Sequence, residues 1–391
     1  SIHLRVLHVS HESLPDWRVE KSAITALKLG YNVSFAGKPG NNINGTKFAK
    51  IYEIDWNSKA RLGIPYYWQQ VKKQLKKILK QEAPDIVHSH NLYSSKLVSE
   101  LGVPFVFDDH EYWSMSSKIL LEMDYQPFQA SIRTQGIANP EFPKFSIKRR
   151  MNRIRRRLID RHAIRVWTAW EKELVSTAPV IVVSETIAKD YLRDRNARPF
   201  IVPNYPILSE VESITSPTYQ TQVDCIYSGG DGNDKVMYPQ RQMDGLFDLF
   251  ENDKRFPLTI AGWSDSTFSN LKFLGFLPRS EMFGEMSRHT VGLLPWKKHW
   301  AHYYTNPNKP YEYAHAGLAV ACTSSILPVI ESLQDCCIKF DDYADLMNKL
   351  DQLQQHPEEL HNLRTRTREL ARVSLTWEKH ENKIIGAYKA C

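Results

Sequence analysis

The chain has 391 residues, 42% hydrophobic and 24% charged, the balance of an ordinary globular protein and more length than one hydrophobic core usually holds. Its formal charge of +7 is concentrated between Lys144 and Arg165, where ten Lys or Arg residues stand against one acid, Asp160, a block that asks for an anionic partner or surface. Five cysteines, an odd number with Cys336 and Cys337 adjacent, speak against a disulfide framework or a metal cluster, and no apolar run approaches the roughly 18 residues that span a bilayer.

The opening LRVLHVS (4–10) is an apolar, β-branched run that predicts a strand and not a signal segment, so the expected location is cytoplasmic, or peripheral on the cytosolic membrane face. A helical pattern from about Val19 to Leu29 follows, with Gly30 as its C-cap, and YNVSFAG (31–37) is the next strand. YYWQQVKKQLKKILKQ (66–81) has helical periodicity, with Pro84 just beyond its end. DIVHSH (85–90) and VPFVFDDH (103–110) are short strands that each finish on a His. Residues 144–174 form a long amphipathic helix, with Ile147, Met151, Ile154 and Leu158 on a stripe that slips and continues to Val166, Trp170 and Leu174. PVIVVSE (179–185) is a further buried strand, and the two prolines of FIVPNYP (200–206) mark a domain boundary. A second alternating series then runs through VDCIYSGG (223–230), FPLTIAGW (256–263), LKFLGFLP (271–278), TVGLLPW (290–296) and LAVACTSS (318–325), with a terminal helix from about Trp377 to Tyr388. Strands alternating with helices predict parallel sheets, here two α/β units in tandem that present ligands at the carboxyl ends of their strands. The expected organisation is an N-terminal domain over 1–205, a C-terminal domain over 206–375 and a closing helix over 376–391.

The most informative segment is NPNKPYEYAHAGLAV (306–320). Pro307 and Pro310 keep the loop extended, and Asn308 and Lys309 lie at a helix N-terminus whose amides and dipole suit a diphosphate. Glu312, in the first turn, is placed to accept hydrogen bonds from vicinal hydroxyls such as those of ribose. The competing reading is a capped helix whose Glu only complements the dipole.

Asn308, Lys309, Glu312, Tyr313 and Gly317 match the NK-x-x-EY-x-x-x-G pattern of glycosyltransferase family 4 and its GT-B relatives, and the resemblance extends over nearly the whole chain. DWRVEKSAITALKLGYNVSFAG (16–37) is similar to that group's D-x-RV-x-x-x-A-x-x-L-x-x-x-GY-x-V segment, and DDHEYW (108–113) to its DxHE segment. VPNYP (202–206) and SGG (228–230) follow in order, and the last helix resembles the one that crosses back to the N-terminal lobe in these enzymes. The resemblance implies a GT-B α/β fold, two Rossmann-like lobes with a cleft between them. It implies retaining transfer from a nucleotide-diphosphate sugar held on the C-terminal lobe to an acceptor held on the N-terminal lobe, with no metal and no further cofactor. By the same resemblance Glu312 binds ribose hydroxyls, the amides around Asn308 and Lys309 approach the diphosphate, and Gly229 and Gly230 let backbone come close to the donor phosphates. Arg241 and Lys235 are both candidates for the cation that offsets phosphate charge, Arg241 being favoured.

His90 and His110 end successive strands, and the resemblance gives a His of this region a contact with the transferred sugar. Glu111 either orients His110 or touches the acceptor; as a bland alternative it is a surface acid. Two departures stand out. Tyr304 sits where many relatives carry a first glutamate, leaving Tyr303, Tyr304 or His302 to contact the sugar, and the loop SHESLPDWRVE lacks the paired glycines found after the first strand of many relatives. Retention has two conceivable routes. Double displacement requires a carboxylate nucleophile, for which Asp108, Asp109 and Glu111 are the available acids. Front-face transfer, in which the leaving diphosphate takes the acceptor proton, requires cations and helix N-termini, which the sequence supplies. The basic helix has three readings: a solvated face, a face resting on anionic lipid that suits a lipid-linked acceptor, and, least favoured, a nucleic-acid contact. The expected function is transfer of a hexose-type sugar from a UDP- or GDP-sugar to a saccharide or lipid-linked saccharide. The competitors are a GT-B-shaped nucleotide-sugar epimerase and a non-catalytic membrane- or nucleic-acid-binding relative; an NAD-dependent dehydrogenase is disfavoured because no GxGxxG follows the first strand.

Overall fold

The structure is a computed structural model that describes residues 3–40, 47–123, 147–194, 196–229 and 238–391. The chain divides into two compact units, one made of Ser1–Leu121, Arg157–Asn204 and Lys379–Cys391, the other of Glu122–Arg156 and Tyr205–Glu378.

The first unit is built on a parallel sheet in the order β3-β2-β1-β4-β5-β6-β7, with β1 Arg5–Val9, β2 Asn32–Gly37, β3 Ile51–Glu53, β4 Ile86–His90, β5 Phe105–Asp108, β6 Pro179–Val182 and β7 Arg198–Ile201. Its central strands are buried on both faces, as the apolar runs in β1, β5 and β6 require of a sheet with helical crossovers. The order reverses between β1 and β4, the place where connections leave in opposite directions and open a crevice at the carboxyl edge. Register there pairs His8 of β1 with His88 of β4, and His90 of β4 with Asp108 of β5. Helix Trp17–Lys28 follows β1; the Asp16 side chain caps it by accepting from the amides of Arg18 and Val19, and Gly30, at φ 84°, turns the chain toward β2. The closing helix Glu381–Lys389 belongs to this unit. Thr25 donates to Glu381 at 2.7 Å, and the Tyr388 hydroxyl lies 2.6 Å from His88 Nδ1.

The second unit carries a parallel sheet in the order β10-β9-β8-β11-β12-β13, with β8 Cys225–Ser228, β9 Leu258–Ala261, β10 Leu271–Phe273, β11 Val291–Leu294, β12 Ala319–Thr323 and β13 Cys337–Phe340. Its reversal lies between β8 and β11. Gly292, in β11, is a close-approach glycine: a Cβ there would lie 2.3 Å from the Tyr313 ring. Tyr313 therefore packs flat under the sheet, where its hydroxyl accepts from the Ser228 amide at 2.8 Å and donates to the Leu293 carbonyl at 3.1 Å.

Three strands go beyond the sequence reading: β3, β7 and β13, each of three or four residues at or next to a sheet edge. The basic segment is a helix over Ile147–Thr177, and residues 144–146 lie outside the described residues. Its expected apolar stripe needs correction. Ile147, Met151, Ile154 and Leu158 are 73%, 65%, 54% and 61% exposed. The buried stripe of the second half is Asp160, Ala163, Trp167, Glu171 and Leu174, one residue out of phase with Val166 and Trp170. The reason is polar: Glu171 faces inward to accept from the Ser114 amide at 2.9 Å and from the Ser114 hydroxyl. Among the described residues no helix is long and apolar enough to cross a membrane.

Candidate active site

At the carboxyl edge of the first sheet the two expected histidines come together, with His90 Nδ1 2.9 Å from His110 Nε2. A third, unforeseen histidine extends the line, since His8 Nδ1 lies 2.9 Å from His90 Nε2. His8, His88, His90 and Asp108 are all fully buried, whereas the His110 side chain keeps 15% of its surface. Beside this line Asp108 Oδ1 accepts from Arg18 Nε at 3.1 Å, and Arg18 Nη1 reaches the Val202 carbonyl at 3.0 Å and Asn204 Oδ1 at 2.9 Å. Burial by itself would raise the Asp108 carboxyl, but the Arg18 guanidinium and the His88 hydrogen bond hold it well below the usual range. Asp108 is thus an anion, so His88 Nε2 donates to it at 2.8 Å and His88 Nδ1 accepts from the Tyr388 hydroxyl. Burial also pushes His8 and His90 well below 6.5 and lowers His110, which leaves three neutral imidazoles in series.

His8, His88 and His90, and likewise His90, Asp108 and His110, gather donor atoms within 4.8 Å of one another, a chemically suitable set for a divalent ion. The two 2.9 Å contacts between nitrogens are direct hydrogen bonds, shorter than the roughly 3.3 Å that separates two ligands on a tetrahedral ion at about 2.0 Å, so an ion would have to break them.

The acids considered as nucleophiles fare differently. Asp108 is enclosed as described. Asp109 is fully buried and accepts from the Tyr191 hydroxyl; burial and the neighbouring Glu171 charge push its carboxyl well above the usual range. Neither presents an oxygen to solvent, and Glu111, next to His110, is exposed.

On the second unit the donor-site candidates fall into two sets. Glu312, in the first turn of helix Lys309–His315, is 2% exposed and bound at both oxygens, Oε1 to Arg279 Nη1 at 3.1 Å and Oε2 to Lys309 Nζ at 3.0 Å. Burial works against its charge, but the Lys309 and Arg279 cations more than reverse this and hold the carboxyl below its ordinary value. Arg279, absent from the sequence reading, also pairs with Glu210, so four side chains alternate in sign. Asn308 caps this helix through its carbonyl, which receives the amides of Tyr311 and Glu312 at 3.2 Å. In the other set, Arg241 is exposed and stacks its guanidinium 5.5 Å from the Trp296 ring and 5.9 Å from Tyr238.

Gly229 has a structural reason for being glycine: a Cβ there would lie 2.6 Å from the Tyr227 hydroxyl, and its amide is donated to the Ala261 carbonyl at 3.2 Å. Tyr304 closes the turn Trp300–Tyr303 and is partly exposed. His302, named with it as a sugar contact, is fully buried with both ring nitrogens engaged, at 2.7 Å from the Ser325 hydroxyl and 2.7 Å from the Gln240 carbonyl. Its ring is therefore part of the protein's own framework. Gly230 and Lys235 lie outside the described residues.

Comparison with known proteins bears on both units. Residues 28–205 match the sequence family described as Glycosyltransferase Family 4. Curated protein sequences give no match. Among solved structures, sucrose-phosphate synthase from Thermosynechococcus elongatus superposes with a TM-score of 0.70 at 13% identity, over 99% of this chain and 98% of that one. HepE from Anabaena in complex with UDP-glucose gives 0.66 at 9% identity, over 100% of both chains. A trehalose-6-phosphate synthase, solved in a study of glycosyl transfer with retention, gives 0.63 at 12% identity over 99% of both. The chain thus carries the GT-B fold along its whole length, and its residues 28–205 match Glycosyltransferase Family 4.

Proposed function

We propose that the protein transfers a hexose-type sugar, with retention, from a UDP- or GDP-sugar held by the second unit to a saccharide or lipid-linked saccharide met at the carboxyl edge of the first sheet. The observation that carries this reading is the buried, ionised Glu312 gripped by Lys309 and Arg279 in the first turn of a helix. A carboxylate offers about four acceptor positions and two are occupied, which leaves capacity for two ribose hydroxyls. The charges of Lys309 and Arg279 are matched by Glu312 and Glu210, so Arg241 is the cation that supplies positive charge toward a diphosphate, and the reading calls for no metal ion. HepE, which shares the fold, was solved with UDP-glucose, and this favours UDP over GDP.

The route that fits is front-face. The bond from the anomeric carbon to the diphosphate breaks, the bond to the acceptor oxygen forms on the same face, and the acceptor proton passes to a diphosphate oxygen. Enclosure of Asp108 by Arg18 and His88, and of Asp109 by Tyr191, supports this over double displacement, because both carboxylates are fully buried. His110 then serves as a hydrogen-bond partner of the transferred sugar, with Glu111 beside it toward the acceptor. The exposed stripe Ile147, Met151, Ile154 and Leu158, flanked by Lys and Arg, fits the acyl boundary and headgroups of an anionic membrane, where a lipid-linked acceptor would be found.

The test is a thermal-shift series with UDP-, GDP-, dTDP- and CMP-sugars, followed by nucleotide release with and without acceptor. A rise in melting temperature with one nucleotide class and acceptor-dependent release is the expected result. No shift with any of the four would overturn the reading, and release of no nucleotide with interconversion of sugars would assign an epimerase instead.

A further inference from the structure

The line His8, His90, His110 has one closed end and one open end. Each ring is neutral and owns one N–H, and two hydrogen bonds join the three rings. Only two proton arrangements satisfy both bonds. In one, His8 Nδ1–H donates to His90 Nε2 and His90 Nδ1–H donates to His110 Nε2, so that the His110 proton sits on Nδ1 at the open end. In the other every bond is reversed, and the His8 proton sits on Nε2. That atom is buried and has no hydrogen-bond partner among the described residues. The second arrangement therefore leaves a buried N–H without an acceptor, whereas the first leaves only a bare lone pair there. Orphaned buried N–H groups are the rarer and costlier case.

We propose that His8 is a positioning residue that, through His90, fixes His110 as the Nδ1–H tautomer and so makes it a hydrogen-bond donor toward the sugar being transferred. The side line of histidine chemistry is kept apart from this chain, because His88 is locked by Asp108 on one nitrogen and Tyr388 on the other. A fixed donor at His110 suits a reaction in which charge develops on oxygen; a ring free to present a bare nitrogen would act as a base instead. The functional role rests on the transferase reading given above, while the tautomer itself does not.

Two measurements test it. Long-range proton–nitrogen spectra of the ¹⁵N-labelled, substrate-free chain, with the His110 signals assigned from a His110→Gln variant, should show Nδ1 protonated and Nε2 bare. A proton on His110 Nε2 would overturn the proposal, whatever the protein's activity. For the part played by His8, His8→Asn keeps an amide N–H where Nδ1 stands, whereas His8→Asp offers His90 Nε2 only an acceptor and so reverses both bonds of the line. The Asp variant should lose about three- to tenfold in kcat, with the His110 proton moved to Nε2 in the spectrum and binding of UDP alone unchanged. The Asn variant should keep most of the wild-type rate. Equal losses in both variants, or weaker UDP binding in the Asp variant, would reduce His8 to packing. If no nucleotide sugar is turned over by the wild-type chain, the transferase reading fails and the spectrum still decides the relay.

Discussion

Glu312 holds its charge in a buried place because two cations donate to different oxygens, and Arg279 holds its own place because it bridges Glu312 and Glu210. These ties separate a ligand-binding carboxylate from one that only complements a helix dipole. In Glu312→Gln the shape is kept, the charge is lost and one amide N–H is turned toward a cation. If ribose hydroxyls bind here, the affinity for a UDP-sugar should fall about tenfold to a hundredfold, the value of one or two hydrogen bonds to a charged group. A variant whose melting temperature drops while its donor affinity, measured by calorimetry, stays within twofold (roughly 0.4 kcal/mol) would return Glu312 to the dipole role. Arg279→Met removes the guanidinium's bonds to Glu210 and leaves Glu312 with the Lys309 cation. Because the Arg279 side chain is about a third exposed, the expected loss of stability is modest, roughly 1–3 kcal/mol in urea unfolding. Arg279→Lys should recover only part of it, since an ammonium cannot span both carboxylates as the guanidinium fork does.

Among the elements, the end of β8 depends on a residue far away in sequence. The Ser228 amide is satisfied by the Tyr313 hydroxyl, which fits only because Gly292 has no side chain. Tyr313→Phe should cost about 1–3 kcal/mol, the penalty of an unpaired buried amide, and Gly292→Ala a comparable amount through overpacking. Both should appear as lowered melting temperatures without an intact-protein change in the first unit's histidine spectra. The basic helix makes an opposite kind of prediction, because its exposed stripe contributes nothing to the fold. Met151→Glu combined with Ile154→Glu should leave the melting temperature unchanged and weaken sedimentation with phosphatidylglycerol-containing vesicles by at least about tenfold. Wild-type binding should also fade as salt rises and be absent on phosphatidylcholine alone; binding that ignores lipid charge would sink the membrane reading. What the sequence made legible follows from the same physics. Long buried runs such as LRVLHVS and LAVACTSS announced their strands, whereas Ile51–Glu53 and Cys337–Phe340 are too short and too near an edge to show a period. Glu312 and His110 are candidates because local motifs single them out. Arg279 is not singled out, because it reaches Glu312 across 33 positions and nothing near it in the chain signals the contact. His8 did leave a signal, a polar ring in the middle of an apolar central strand, which has to find a buried partner.

At the scale of the whole molecule, folding keeps several histidines uncharged, and this sets a pH dependence with a definite sign. Burial pushes His8 and His90 well below 6.5 and His302 to about 4, with smaller reductions at His110 and His315. For each, the unfolded chain takes up a proton near pH 6.5 while the folded chain does not, so the unfolded state binds more protons over that interval and stability rises with pH. Stability is thus intact above about pH 6.5 and declines as the pH drops toward the folded values, by about 1.4 kcal/mol per pH unit for each histidine still neutral. Three groups behave otherwise. His289 is raised by Asp224 and Glu285 against the effect of its burial, so its contribution is complete below 6.5 and is lost only as pH rises through its folded value. Asp109 and Glu171, both raised by burial, take up protons on folding and oppose the histidines in the same acid interval, but they share one neighbourhood and offset only part of the effect. Urea midpoints should therefore fall as pH goes from about 7 to about 5, without the plateau that a chain of solvent-exposed histidines would give. His302→Gln offers the internal control. Its amide group replaces a ring held between Ser325 and Gln240, so the variant should be less stable at neutral pH but lose about 1.4 kcal/mol less per pH unit on acidification. An unchanged slope in that variant, or midpoints that rise toward pH 5, would mean that the buried imidazoles do not govern the acid side of the stability curve.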